Sequence, residues 1–113
     1  MDTLNNEPVV VVCENPLIQD YLHFVLRRSG RRVILSSARH AIEIVLSGTQ
    51  KVELLITNSP ADFLSVAGDL PFLYLSAAPD REVAARFPNL MVLQKPFRTA
   101  DLLSAVTELT SSS

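Results

Sequence analysis

The sequence predicts an α/β fold, a doubly wound five-stranded parallel sheet with helices on both faces, on three observations. Short apolar runs recur at residues 9–12, 33–35, 54–56, 72–75 and 90–93. A run that is apolar at consecutive positions, rather than at every second one, suits a parallel strand covered on both sides. Between the runs, apolar residues repeat at helical spacing. Each run also stops at a polar cluster, as at Thr57-Asn58-Ser59-Pro60. Strands alternating with helices imply parallel pairing through right-handed crossovers.

Each element has its own local signal. The β-branched run Val9-Val10-Val11-Val12 is a central strand, closed by Cys13-Glu14. Asn15 is then a good N-cap and Pro16 a good first helical residue. Ile18, Leu22, Val25 and Leu26 share a helical face, Arg27 and Arg28 suit the last turn, and Gly30 suits a left-handed stop. A second strand, residues 33–35, ends at Ser36-Ser37. The next helix is expected to turn Ala38, Ala41, Ile42, Val45 and Leu46 inward and to stop at Gly48. After the third strand, residues 61–70 leave room for a short helix at best. The fourth strand ends at Ser76-Ala77-Ala78; Pro79 then opens a helix, with Asp80 and Glu82 in its first turn. Pro88 limits that helix to about Phe87. The fifth strand ends at Gln94-Lys95-Pro96-Phe97, and Thr99 caps a last helix with Leu102, Leu103, Val106 and Leu109 inward. All five strands are expected to be buried.

The 113 residues suffice for one domain, placed at 7–110 with flexible termini at 1–6 and 111–113. With 48% hydrophobic and 19% charged residues the chain reads as globular, and its net charge of -2 offers no general argument for nucleic acid. No apolar run approaches the roughly 20 residues of a membrane span. The amino-terminal residues lack the basic-then-apolar pattern of a signal peptide. A single cysteine excludes an internal disulfide framework and points to a reducing cytoplasm.

Polar residues fall where an open parallel sheet does its chemistry, at strand carboxyl ends. Cys13 and Glu14, Asn58, Ser76 and Lys95 followed by Pro96 can gather there around one shallow pocket. Each also has a plainer reading. Asn58 can cap a strand end by bonding nearby backbone, and Ser76 can satisfy backbone donors before a helix. Cys13 can be an inert small hydrophobe rather than a redox sensor. Ser59 has a hydroxyl beside Asn58 but no base placed to activate it. Arg27, Arg28, Arg31 and Arg32 read as a solvated patch at the sheet's amino-terminal edge, and His23 and His40 as surface residues without metal-ligand spacing.

Taken in order, these motifs resemble the receiver domain of bacterial two-component response regulators over nearly the whole chain. Val11-Val12-Cys13-Glu14-Asn15-Pro16 resembles its opening acidic motif, Leu75-Ser76-Ala77 its hydroxyl switch position, and Gln94-Lys95-Pro96-Phe97 its lysine motif, usually with a cis peptide. Thr99-Ala100-Asp101-Leu102-Leu103 resembles the start of its last helix. The resemblance implies a flavodoxin-like strand order of 2-1-3-4-5, with the third helix shortened here. It puts Asn58 at the phosphoacceptor aspartate, Cys13 at the first acid of a magnesium-binding pair, and Val92 at an aromatic switch position. Only Glu14 remains of the acidic pair.

A neutral amide is a poor nucleophile towards phosphorus, and magnesium prefers hard oxygen donors that include carboxylates. Glu14 at -1 and Lys95 at +1 sum to zero, so magnesium binding is expected to be weak or absent, through Glu14 if at all, with no cofactor. Lys95 is expected to pair with Glu14 or to bond Asn58. The function implied is an atypical, non-phosphorylated receiver in phosphorelay signalling, not an enzyme, that acts by protein–protein contact. A histidine kinase or an output protein is the expected partner, since these residues include no output domain, with a homodimer as a further option. The contact face implied is that of the last two helices and strand five, with Phe72, Tyr74, Phe87 and Phe97 nearby. The alternatives are a true phosphoreceiver using another acceptor such as Ser59, and a small flavodoxin-like ligand binder. The latter lacks a phosphate-cradling loop after strand one.

Overall fold

The computed structural model describes residues 7–111. Strands β1 (Val9–Cys13), β2 (Arg32–Leu35), β3 (Val52–Thr57), β4 (Phe72–Ser76) and β5 (Leu90–Gln94) form one parallel sheet in the order β2-β1-β3-β4-β5. Helices α1 (Pro16–Arg28), α2 (Ala38–Ser47), α3 (Arg81–Ala84) and α4 (Thr99–Thr110) connect or close the strands, and a 3-10 segment, Pro60–Val66, joins β3 to β4. Five helical segments alternate with five strands, as the sequence predicts. No helix among the described residues is long and apolar enough to cross a membrane.

Because successive side chains of a strand point to opposite faces, the apolar runs split into two cores. Val10, Val12, Leu54, Ile56, Leu73 and Leu75 lie under α1 and α4, against Leu22, Leu26, Leu102 and Val106. Val9, Val11, Leu55 and Phe72 face the other way, under Ala41 of α2, Phe63 and Val66 of the 3-10 segment, and Phe87 beyond α3. Central β1 is buried throughout, whereas the edge strands β2 and β5 have no fully buried residue. The expectation of five buried strands therefore holds only for the interior of the sheet, because an edge strand has a neighbour on one side only.

Local signals set most helix ends. Asn15 Oδ1 accepts from the Ile18 N–H at 3.2 Å with Pro16 as the first helical residue, and Ser37 Oγ accepts from the His40 N–H at 3.2 Å. Such caps contribute about 1 kcal/mol each. Gly30 and Gly48 end α1 and α2 at φ +93° and +69°, where a side chain is disfavoured.

Three details differ from expectation. Leu46 is 70% exposed, because it lies about a quarter-turn away from the face formed by Ala38, Ala41, Ile42 and Val45. Asp80, not Pro79, opens α3; its carboxylate accepts from the N–H groups of Glu82 and Val83, an anchor that Pro79 lacks. Arg98 takes the N-cap position of α4, and Thr99 is its first helical residue, its hydroxyl bonded to Tyr21 of α1. At the far end Ser111 still donates its N–H to the Thr107 carbonyl. The flexibility expected of residues 1–6, 112 and 113 lies outside the described residues.

Candidate functional site at the carboxyl end of the sheet

The strand order reverses direction at β1 and β3, and the residues singled out above emerge on either side of that point. Cys13 ends β1 directly beside Thr57, the last residue of β3, so Glu14 and Asn58 are the next residues out of the sheet. Ser76 ends β4 opposite Gln94, and Lys95 follows β5. Lys95 is held by its own N–H, which donates to the Ser76 carbonyl at 2.9 Å, and the Gln94 amide donates to the Ala77 carbonyl at 3.2 Å. The Lys95–Pro96 peptide is cis.

Lys95 Nζ lies 3.2 Å from Glu14 Oε2. The Glu14 side chain is fully buried and that of Lys95 is 23% exposed. The other carboxylate oxygen accepts from the Asn15 N–H at 3.1 Å. Oε2 has no donor in hydrogen-bond alignment, so its compensation is the ammonium charge alone. Of the two partners expected for Lys95, the structure selects Glu14.

Asn58 is exposed and its side chain makes no hydrogen bond among the described residues. The local capping that the sequence allowed for Asn58 is done by its neighbour. The buried Thr57 hydroxyl accepts from the Ser59 N–H at 3.0 Å. This role was legible only as one hydroxyl closing the apolar run Leu54-Leu55-Ile56. Ser76 makes the backbone contact of its plainer reading, its hydroxyl accepting from the Ala78 N–H at 3.0 Å. The Tyr74 hydroxyl accepts from the Asp80 N–H at 2.9 Å, and so ties the end of β4 to the start of α3. His40 is exposed and pairs with Glu43 at 3.7 Å, whereas His23 is partly buried.

Cys13 is buried, its thiol directed to the Ser37 carbonyl at 3.7 Å. Burial, with the Asp62 carboxylate as a second cause, pushes the thiol up from 9.0 to about 11. Asp62 was overlooked in the sequence because it lies in the irregular connection after β3. It adds a negative charge near the pocket, beyond the balanced Glu14–Lys95 pair. The donors at the opening-motif positions are thus a protonated thiol and a carboxylate already engaged by an ammonium. That set does not suit magnesium, which needs hard oxygen ligands.

The raised thiol has two measurable consequences. Below pH 9 both folded and unfolded chains carry the neutral thiol. Above it only the unfolded chain ionises, so stability is lost progressively between about pH 9 and 11. Denaturant unfolding of Cys13→Ala across that window is expected to show a correspondingly shallower alkaline decline. At pH 8, iodoacetamide should label native Cys13 about 100-fold more slowly than the unfolded chain from ionisation alone; equal rates would refute the buried, protonated thiol.

No family model matches the sequence, and no curated protein matches it. Solved structures do match in shape. A response regulator receiver protein from Sinorhizobium medicae superposes with a TM-score of 0.76 at 21% identity, covering 96% of this chain and 98% of that one. The receiver domain of a sensor histidine kinase from Pseudomonas aeruginosa, a structure with magnesium coordinated in its active-site cleft, gives 0.77 at 21%, over 95% and 99%. The chemotaxis protein CheY4 of Vibrio cholerae gives 0.72 at 17%, over 92% and 98%. In strand order, parallel pairing and helix placement, this chain has the fold of the response regulator receiver domains.

Proposed function

We propose that this chain is a receiver-type module of two-component signalling that takes no phosphate at the usual position and acts through contact with a protein partner. The observation that carries the reading is the state of the pocket. An unengaged amide, Asn58, stands where the fold presents its reactive side chain, while the buried Glu14 is neutralised by Lys95. Phosphorylation and metal binding would both need a free carboxylate at these positions, and Asn58 and the paired Glu14 supply none. No nucleophile–base pair is bonded in the pocket among the described residues, so the module is read as non-enzymatic. Its partner is a histidine kinase or an output protein.

The aromatic residues expected to enrich a contact face around α3, β5 and α4 do little there. Phe72, Tyr74 and Phe87 are buried in the core, which leaves Phe97 partly exposed. Partner contact through that face would rest on Phe97 and its neighbours.

Intact mass after incubation with magnesium and acetyl phosphate, for wild type beside Asn58→Asp, tests the reading. Wild type is expected to stay unmodified, and the variant to gain a single phosphoryl group. Phosphate on wild type would overturn the proposal, with Ser59 the first residue to map. An unreactive variant would show that the pocket has diverged at Cys13 as well as at Asn58.

A further inference from the structure

Helix α1 carries apolar side chains on two faces: one packs into the core, and the other is largely exposed apart from Tyr21, which leans on Thr99 and Phe97. Leu22 and Leu26 pack into the core. On the outer side Leu17 is 83% exposed and Phe24 61%, with the half-buried Tyr21 between them. Spacings of four and three residues align these three side chains in one stripe along the helix. Beside the stripe runs a groove of about 490 Å³, walled by Tyr21, Val25, Thr99 and Leu103. The other exposed leucines, Leu46 and Leu64, are isolated on other elements and need no explanation.

The charges on this stripe indicate what covers it. Asp20, Arg27 and Arg28 are exposed, and none has an ion-pair partner among the described residues. The Arg28 guanidinium rests over the Phe24 ring, 5.5 Å from its centroid. Asp20 pairs with neither arginine of its own helix, which lie about two turns further along the axis. Two copies of α1 packed antiparallel about a two-fold axis at Phe24 would remove that separation. Asp20, four residues before Phe24, then falls opposite Arg28, four residues after it, on the other copy, and Tyr21 falls opposite Arg27. The two-fold makes the contact twice, and like charges stay apart.

We propose that the outer face of α1 binds α1 of a second copy of this chain, antiparallel, with Phe24 on the symmetry axis. This interface is independent of whether Asn58 accepts phosphate. It also differs from the α3–β5–α4 face considered above. A single helix pair is small beside the roughly 1,200–2,000 Å² of a stable complex, so a weak dimer is expected, one that forms below about 1 mM.

Sedimentation equilibrium of the full chain from about 1 µM to about 1 mM tests it. Wild type is expected to move from the 12.5 kDa monomer to twice that mass. Phe24→Asp, at an exposed site, should keep its circular dichroism and thermal midpoint while the dissociation constant rises at least about thirty-fold. Asp20→Arg and Arg28→Asp each set like charges against one another and are each expected to be monomeric. Mixed in equal amounts they should associate again, since every contact is then between opposite charges. A wild type that is monomeric at 1 mM overturns the proposal. So does a dimer that survives Phe24→Asp, or a mixture that fails to associate.

Discussion

Phe63→Ala is expected to cost about 3–5 kcal/mol, a large share of the roughly 5–15 kcal/mol that stabilises a domain. The 3-10 segment that carries Phe63 has poor hydrogen-bond geometry for its length, and Phe63 itself departs from helical angles at φ -114°, ψ 15°. Side-chain burial must therefore hold it. A 3-10 helix brings every third residue to the same side, and the residues so aligned, Pro60, Phe63 and Val66, are the segment's buried ones. Phe63 is fully buried with its ring 5.9 Å from that of Phe72, which in turn meets Phe87 edge-on at 4.8 Å. Its loss would leave a cavity between the shortened connection and the sheet. Urea unfolding should show the midpoint falling with an unchanged slope, and thermal melting a drop of about 15–25 °C. Phe63→Leu should recover about half of the loss, because it refills part of the volume. A Phe63→Ala loss under 1 kcal/mol would mean that the connection is not anchored there.

Lys95→Ala comes second, at about 2–4 kcal/mol. Breaking a buried ion pair by removing one partner typically costs 3–5 kcal/mol, since the remaining charge is left uncompensated. The figure is set lower here because Lys95 is 23% exposed and water can reach its place. The carboxylate it leaves is fully buried, with one oxygen that has no aligned donor. Glu14→Gln combined with Lys95→Met removes both charges and should restore most of the stability, and a double-mutant cycle measures the coupling between the two positions. Additive losses across that cycle would show that the 3.2 Å contact contributes nothing. Magnesium should leave the melting temperature of wild type unchanged. A metal-dependent rise would mean that an ion competes with Lys95 for Glu14.

Much of the fold was legible because its signals are short-range. Four valines in a row, Asn15-Pro16 before a helical repeat and Gly48 after one each determine a local conformation, whatever lies elsewhere in the chain. Two misread details, the exposed Leu46 and the cap at Asp80, are local, and the others depend on distant parts of the structure. Thr99 looks like a cap from its neighbours, but its hydroxyl is taken by Tyr21, far away in sequence. Which of Phe72, Tyr74 and Phe87 belong to the core was open in the sequence, and all three prove buried, Phe72 and Phe87 in the second core layer. The spacing of Pro60, Phe63 and Val66 was visible, but a period of three over one short stretch does not distinguish a buried 3-10 turn from a loop.

By itself the sequence determined the alternation of strand and helix, and with it the parallel sheet. It also determined that Cys13, Glu14, Asn58, Ser76 and Lys95 leave the sheet at one end, because in a parallel sheet all strands have their carboxyl ends on the same edge. Tertiary structure alone decided which of these residues engage one another. Lys95 could be assigned to Glu14 rather than to Asn58 only when β1, β3 and β5 were placed in space. It also decided that the amide at position 58 stays unbonded, that the charge of Asp62 bears on Cys13, and that α1 turns a second apolar face to water. The physical reason is range. Backbone conformation is governed by residues within a turn or two, whereas charge pairing and burial depend on groups that only the folded chain brings together.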